Sequence, residues 1–274
     1  MSSGDRIAST FERLRKEGRA GLVTFVTAGD PDPGTSQQLM ERLPDAGADI
    51  IELGMPFSDP MADGPAIQAA NLRALSSGAS LTGTLDMVRR FRQNNSDTPV
   101  ILMGYFNPIY QYGPSRFVTD AVSAGVDGLI MVDLPPEEDE ELCDPARTAG
   151  LHWVRLVTPT SNEGRLKQVL QNTSGFIYYV SIAGITGTRS AAASSIGEAL
   201  TAVRKHTQLP IAVGFGINTA EQVHETGEVA DGAVVGSAII REIENNLDES
   251  CRAKPELLDR VTGLVSTLSG GLRS

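Results

Sequence analysis

The chain has 274 residues, and 23 lysines and arginines against 34 aspartates and glutamates give it a formal net charge of −11. This acidic balance disfavours nucleic acid as a partner, because a nucleic-acid-binding protein normally carries a basic patch. Hydrophobic residues make up 41% of the chain and charged residues 21%. These are ordinary values for a globular protein, and they exclude the disordered and fibrous classes.

The sequence contains no predicted membrane or export segment. No apolar run approaches the roughly 18 residues that a membrane-spanning helix needs. The first 18 residues mix acidic with basic side chains and have no apolar centre, so we expect no signal peptide and a cytoplasmic location. Two cysteines, Cys143 and Cys251, are too few for a disulfide framework or a cysteine-rich metal site.

The first predicted element is an amphipathic helix at Asp5–Lys16, because Ile7, Phe11 and Leu14 fall on one face. We expect it to cover the bottom of the fold. Short apolar runs rich in β-branched residues then alternate with segments of helical spacing. The predicted strands are Gly21–Thr27, Asp49–Leu53, Val100–Met103, Gly128–Val132, Trp153–Val157, Phe176–Val180, Ile211–Phe215 and Gly232–Val235. The predicted helices are Thr35–Ala46, Thr82–Gln93, Ser115–Ala124, Glu137–Ala149, Asn162–Gln171, Ser195–His206, Thr219–Glu225, Ser237–Asn245 and Lys254–Leu268.

Strict alternation of strand and helix predicts a parallel sheet covered by helices. Eight such units fit one closed (β/α)8 barrel, an α/β fold, and we expect residues 1–274 to form a single domain. A doubly wound open sheet is the alternative. That fold usually carries a glycine fingerprint after its first strand, whereas here the turn reads Thr27-Ala28-Gly29-Asp30-Pro31.

Three late turns are rich in glycine and indicate a phosphate site. They are 184–187, 214–216 and 236–237. Glycine lets backbone N–H groups approach an anion, and a helix that starts there directs its positive end inward. The loops after strands seven and eight are a recurrent phosphate site in these barrels. The alternative interpretation is that the glycines only make tight turns.

The second strand and its loop supply the acid–base candidates. Glu52 lies at a strand end, where partial burial raises the pKa of a carboxyl toward the range useful for proton transfer. Asp59 and Asp63 lie in a loop that contains three prolines. A glutamate in a salt bridge and aspartates that cap turns are the alternative interpretations.

Tyr178 places a hydroxyl in the barrel opening or packs between strand and helix. The three histidines are scattered without ligand spacing, so no metal site is predicted. No lysine lies in a predicted strand, which favours proton transfer without covalent capture of the substrate.

Nearly the whole chain resembles the tryptophan synthase alpha chain family. The segments that carry the resemblance are Phe25-Val26-Thr27-Ala28-Gly29-Asp30-Pro31, Ile51-Glu52-Leu53-Gly54, Ser58-Asp59-Pro60-Met61-Ala62-Asp63-Gly64-Pro65, Asn107-Pro108, Asp133-Leu134-Pro135, Gly184-Ile185-Thr186-Gly187 and Gly214-Phe215-Gly216-Ile217.

The resemblance implies a (β/α)8 barrel that cleaves indole-3-glycerol phosphate to indole and glyceraldehyde 3-phosphate. It also implies that this chain needs no cofactor. Pyridoxal phosphate is expected only in a partner beta chain, which receives indole through a tunnel in an αββα assembly and joins it to serine.

The resemblance also implies roles for single residues. Glu52 and Asp63 match the catalytic carboxylates, and Tyr178 matches an active-site tyrosine. The positions expected to bind substrate are Phe25, Thr186, Gly187, Gly214, Gly216, Gly236 and Ser237, with Thr186 in a loop that closes over it. The positions expected to face the beta chain are Pro56, Asp59, the Asn107-Pro108 turn and Asp133.

Three other functions stay open at this stage. Another phosphate-binding barrel, such as a sugar-phosphate isomerase or epimerase, shares the fold. A weakly active scaffold that activates a beta chain, and a free-standing indole-releasing lyase, share the resemblance as well.

Overall fold

The computed structural model describes residues 4–181, 189–214 and 216–273. In these ranges nine parallel strands form one sheet in the order β5-β4-β3-β2-β1-β9-β8-β7-β6. The strands are β1 Gly21–Thr27, β2 Ile50–Gly54, β3 Val100–Gly104, β4 Gly128–Met131, β5 His152–Trp153, β6 Arg155–Val157, β7 Ile177–Val180, β8 Ile211–Gly214 and β9 Gly232–Val235.

The two ends of this sheet are joined by one continuous stretch of chain, which closes the barrel. Only Val154 separates β5 from β6. β5 pairs with β4, and β6 pairs with β7. The predicted fifth strand, Trp153–Val157, is therefore two short strands, because the chain changes pairing partner within it. The (β/α)8 fold predicted from the alternating pattern is confirmed.

Helices follow the strands. They are α1 Arg6–Glu17, α2 Pro33–Arg42, α3 Pro65–Ser76, α4 Leu81–Asn94, α5 Phe106–Tyr112, α6 Pro114–Ala124, α7 Cys143–Thr148, α8 Glu163–Leu170, α9 Arg189–Arg204, α10 Ala220–Gly227, α11 Ser237–Asn245 and α12 Leu257–Gly270. Within the described ranges every helix is too short or too polar to span a bilayer.

The helix predicted at Glu137–Ala149 is wrong in detail. A 3-10 helix at Pro136–Glu141 and α7 replace it, and Leu142 between them has a non-helical backbone. The cause is Pro145, which has no N–H to donate to the carbonyl four residues earlier and whose ring clashes with that carbonyl.

Two helices lie where the sequence analysis predicted a loop and a turn. α3 has a proline in its first turn, where the missing N–H costs nothing, and only a narrow buried face. The prediction of a turn at Asn107-Pro108 is wrong. Both residues lie at the start of helix α5, where proline is tolerated.

α1 seals the end of the barrel at which the strands begin. Asp5 caps it by accepting a hydrogen bond from the Ala8 N–H at 2.9 Å, and Gly18 ends it with φ +70°. Its apolar face, Ile7, Phe11 and Leu14, packs against inward side chains of the strands. The N-terminal covering helix is therefore present as predicted.

Ion pairs hold α1 to the starts of the strands. Arg13 of α1 binds Asp49 at 2.7 Å, and Asp49 also accepts the Leu22 N–H at 3.0 Å. Arg6 binds Asp127 at 2.8 Å, which in turn binds Arg92 of α4 at 2.6 Å. Each aspartate thus links α1 to another part of the barrel, Asp49 to β1 and Asp127 to α4.

Phe11→Ala is expected to lower the free energy of unfolding by about 3 kcal/mol, because it leaves a cavity under the barrel. The Phe11 ring lies 5.9 Å from that of Phe176. Urea unfolding measures the change, and Glu12→Ala, at an exposed neighbour on the same helix, is the control. Equal unfolding midpoints for the two variants would contradict the role of α1 in the core.

Candidate active site

Glu52 lies on β2 and points into the barrel, in register with Phe25 of β1 and Ile101 of β3. The residue is 1% exposed, and neither of its carboxyl oxygens has a hydrogen-bond partner among the described residues. Burial, and next the negative charge of Asp63, raise the pKa of Glu52 to about 8. The carboxyl is therefore protonated at neutral pH and is able to donate a proton.

Asp63 lies at the end of the loop that joins β2 to α3 and is partly buried. Tyr105 donates a hydrogen bond from its hydroxyl to Asp63 Oδ2 at 3.2 Å, and the same hydroxyl accepts the Ala62 N–H at 2.9 Å. Burial raises the pKa of Asp63, and the hydrogen bond from Tyr105 acts in the opposite direction. The two carboxyl groups thus have different environments, because Asp63 accepts a hydrogen bond and Glu52 has no partner among the described residues.

Tyr105 is a site residue that was not predicted from the sequence. It is 3% exposed and directly follows β3. Burial, followed by the charge of Asp63, raises the pKa of its hydroxyl, which therefore stays protonated and donates. Its position immediately after a strand was the signal in the sequence, since strand ends meet at the site in a barrel.

Tyr178 lies on β7 and joins the same electrostatic group. Burial raises its pKa well above the ordinary value, and the charges of Glu52 and then Asp63 act in the same direction. A Cβ added at Gly214 of β8 would overlap the Tyr178 hydroxyl oxygen. A larger residue at this position would therefore displace the tyrosine side chain.

Phe25 forms one wall of the site. A Cβ at Gly54 would lie 2.7 Å from its ring, so the ring packs directly on the backbone of β2. Phe25, Asp63 and Tyr105 line a common cavity. The other residues that line it are Gly54, Met55, Asn71, Met103, Gly104 and Val132. The lining thus combines aromatic and aliphatic side chains with the Asp63 carboxylate, which can accept a hydrogen bond.

The predicted phosphate positions lie at the ends of β8 and β9. Gly214 ends β8, and Gly216 adopts φ +77°. Gly236 precedes α11, whose first residue is Ser237, and among the described residues no side chain caps that helix start. Its first N–H groups are therefore available to an anion. Thr186 and Gly187 lie outside the described residues.

The predicted partner-facing residues differ in exposure. Asp59, Asn107 and Asp133 are exposed, Pro108 is partly buried and Pro56 is buried. Asp133 Oδ1 accepts the backbone N–H of Phe106 at 2.8 Å, so the loop after β4 contacts the start of α5.

A search for three or more histidine, cysteine, aspartate or glutamate side chains arranged to hold a metal ion finds none in the described parts of the chain. Glu52, Asp63 and Tyr178 lie close enough for their charges to shift one another's pKa values. The fold and this arrangement define the class of protein, a (β/α)8-barrel enzyme equipped for acid–base chemistry.

Comparison with known sequences gives the family. A profile of the tryptophan synthase alpha chain matches residues 11–266. The chain belongs to the tryptophan synthase alpha chain family. Its reaction is therefore that of a lyase, the cleavage of indole-3-glycerol phosphate, and the match does not support the alternative of a barrel isomerase.

Solved structures agree over almost the full length. The tryptophan synthase alpha subunit of Legionella pneumophila str. Paris is 40% identical, with a TM-score of 0.89 and 98% of each chain covered. A chain from Aquifex aeolicus VF5 is 34% identical, with a TM-score of 0.87 over 98% of this chain and 99% of that one. A chain of tryptophan synthase from M. tuberculosis is 30% identical, with a TM-score of 0.86 and the same coverage.

Glu52→Gln is expected to raise the free energy of unfolding at pH 8 by roughly 4 kcal/mol. The unfolded chain loses the Glu52 proton near pH 4.5, whereas the folded chain keeps it up to about pH 8. The free energy of unfolding of the wild type therefore falls as the pH rises through this window. The glutamine side chain of the variant does not ionise, so the variant does not lose this stability.

Urea unfolding of both proteins from pH 4 to pH 8 measures the difference, which is expected to vanish at the acidic end. Glu12→Gln, at an exposed position on α1, is the control and is expected to show no such trend. A Glu52→Gln variant less stable than wild type at pH 8 would contradict the buried, unpaired state of this carboxyl.

Proposed function

We propose that Glu52 and Asp63 perform the cleavage of indole-3-glycerol phosphate as an acid–base pair. The observation that carries the proposal is the buried Glu52 carboxyl, which has no hydrogen-bond partner among the described residues and which shares the barrel opening with Asp63. A buried polar group without a partner is costly, so its retention is explained by a substrate that supplies one.

The chemistry assigns a different task to each carboxyl. Breaking the bond between indole C3 and the glycerol side chain requires a proton on C3 and loss of a proton from the neighbouring hydroxyl, which becomes the aldehyde oxygen. Glu52 gives its proton to C3 and takes the hydroxyl proton, so it ends the cycle as it began. Asp63 accepts a hydrogen bond from the indole N–H and stabilises the positive charge that develops on the ring.

The other residues hold the substrate. Phe25 contacts the ring, and the Tyr178 hydroxyl, kept protonated by its surroundings, orients the glycerol group next to Glu52. The phosphate is bound by backbone N–H groups of Gly187, Gly214, Gly216 and Gly236 and by Ser237 at the start of α11. Thr186 belongs to the loop that covers the substrate and excludes water.

Glu52→Gln and Asp63→Asn are each expected to lower kcat for indole release by at least about a hundredfold, the scale of a removed acid–base or charge-stabilising group. Purified variants are assayed with indole-3-glycerol phosphate, and circular dichroism confirms their folding. Glu12→Gln serves as the control with unchanged turnover. Near-normal turnover of both site variants would refute the assignment.

We also propose that this chain uses no cofactor and that it delivers indole to a beta chain, which holds pyridoxal phosphate, in an αββα assembly. The exposed Asp59 lies in the same loop as Asp63, and the exposed Asn107 lies beside the contact between Asp133 and Phe106. These positions and Pro108 form the proposed interface. Pro56, which is buried, supports the shape of the loop.

A beta chain is expected to raise the rate of indole release, because its contact with this loop also sets the position of Asp63. Steady-state assays with and without a tryptophan synthase beta chain measure the effect. Asp59→Ala is expected to diminish the increase. Asp45→Ala, an exposed aspartate between α2 and β2 at the opposite end, is expected to leave it unchanged. Equal rates with and without the beta chain would favour a free-standing lyase.

Two further assignments complete the proposal. Residues 1–274 act as one domain, an assignment supported by the single sheet of nine strands and by the packing of α1 and α12 against it. The cytoplasm is the proposed location, and the free thiols of Cys143 and Cys251 suit a reducing compartment.

A further inference from the structure

Arg73 of α3 connects three elements that surround the site. Its Nε and Nη2 atoms donate to the two carboxylate oxygens of Asp30, in the turn after β1, at 2.8 and 2.9 Å. Its Nη1 atom lies 3.6 Å from a carboxylate oxygen of Glu244, near the end of α11. The guanidinium thus joins α3 to the turn after β1 and to the helix whose start forms the proposed phosphate site.

The pair with Asp30 is buried, unlike most ion pairs of the molecule. The Asp30 side chain is 0% exposed and that of Arg73 is 11% exposed. A two-point bond between guanidinium and carboxylate fixes direction as well as distance, and a lysine reproduces only the charge. Loss of Arg73 would leave the Asp30 carboxylate in the protein interior without its cation, so the turn and α3 would have to move apart or admit water.

α3 in turn holds the loop that carries Asp63. Asn71 accepts the backbone N–H of Phe57 at 2.9 Å, near the start of this loop. Gln68 donates to the backbone carbonyl of Asp63 itself at 2.8 Å. Ser77, at the end of α3, donates to the carbonyl of Gly29 at 3.1 Å and makes a second tie to the turn after β1. Both ends of the loop therefore depend on where α3 sits.

We infer that Arg73 is a positioning residue for the cleavage reaction: by fixing α3 against the turn after β1 and against α11, it sets the place of Asp63 relative to the phosphate-binding end of α11. The inference rests on the proposed function. Arg73 itself is not placed in contact with substrate, so it acts only through the loop. A shift of that loop by a fraction of an ångström would misplace Asp63 relative to the indole N–H.

The test is a double-mutant cycle between Arg73 and Asp63 on the full-length chain, with indole-3-glycerol phosphate as substrate. Arg73→Gln is expected to lower kcat about tenfold in the wild-type background. In the Asp63→Asn background the same change is expected to alter kcat less than about twofold. Arg73 acts through the position of the Asp63 carboxylate, and that carboxylate is absent in this background. Arg73→Lys is expected to recover only part of the loss.

Arg92→Gln is the matched control. Arg92 is 10% exposed in a comparable buried pair with Asp127, but that pair lies at the opposite end of the barrel. This variant is expected to lose thermal stability, as Arg73→Gln does, and to keep its kcat. Melting temperatures of all variants are measured alongside, and assays are run where each is folded. If Arg73→Gln does not fold, the same cycle with Arg73→Lys decides the question.

The outcomes separate the two proposals. A wild-type chain that releases no indole contradicts the proposed function and the inference together. An active wild-type chain with unchanged kcat in the Arg73 variant contradicts the inference alone. Equal losses in the wild-type and Asp63→Asn backgrounds, or an equal loss in Arg92→Gln, would show that Arg73 contributes only to overall stability.

Discussion

The central feature of the structure is energetically unfavourable: the Glu52 carboxyl group is buried inside the barrel without a hydrogen-bond partner among the described residues. Closing the sheet through residues 152–157 directs inward side chains from all sides to the axis, and at the level of Glu52 no described residue offers that carboxyl a hydrogen bond. The protein keeps the group by keeping it protonated, with a pKa of about 8.

The pKa values of the buried carboxyl groups shift in opposite directions at the two ends of the barrel, down for Asp49 and up for Glu52 and Asp63. At the end covered by α1, Asp49 binds two arginines and a backbone N–H, which lowers its pKa despite its burial. At the open end, burial raises the pKa of both Glu52 and Asp63. Ion pairs therefore hold Asp49 at the α1 end. At the open end the Glu52 carboxyl has no hydrogen-bond partner among the described residues, and Asp63 accepts a hydrogen bond from Tyr105. Buried carboxyls with raised pKa values of this kind are typical of active sites.

The sequence was sufficient for the features that follow from local patterns. Alternating strands and helices predicted the barrel. The second strand predicted a partly buried Glu52 at its end, whereas Glu52 lies in the middle of β2 and is 1% exposed. Long-range contacts escaped prediction for a physical reason. Tyr105 acquires its role only when β3 lies beside β2, and Arg73 meets Asp30 across 43 positions. α3 was missed because its alanine-rich sequence shows no clear stripe, and α5 because the proline in its first turn suggested a turn.

The net charge of −11 and the phosphate ester that this chain is proposed to bind are compatible, because the two act at different ranges. Overall charge governs encounters at distances that salt largely screens. Binding of one phosphate is decided within a few ångströms, where backbone N–H groups at a helix start, such as the proposed site at the start of α11, can bind an anion despite an acidic surface. For the question of phosphate binding, the uncapped start of α11 is therefore more informative than the net charge of the chain. The same reasoning separates a single phosphate, which a few backbone N–H groups can bind, from nucleic acid, which needs an extended basic surface.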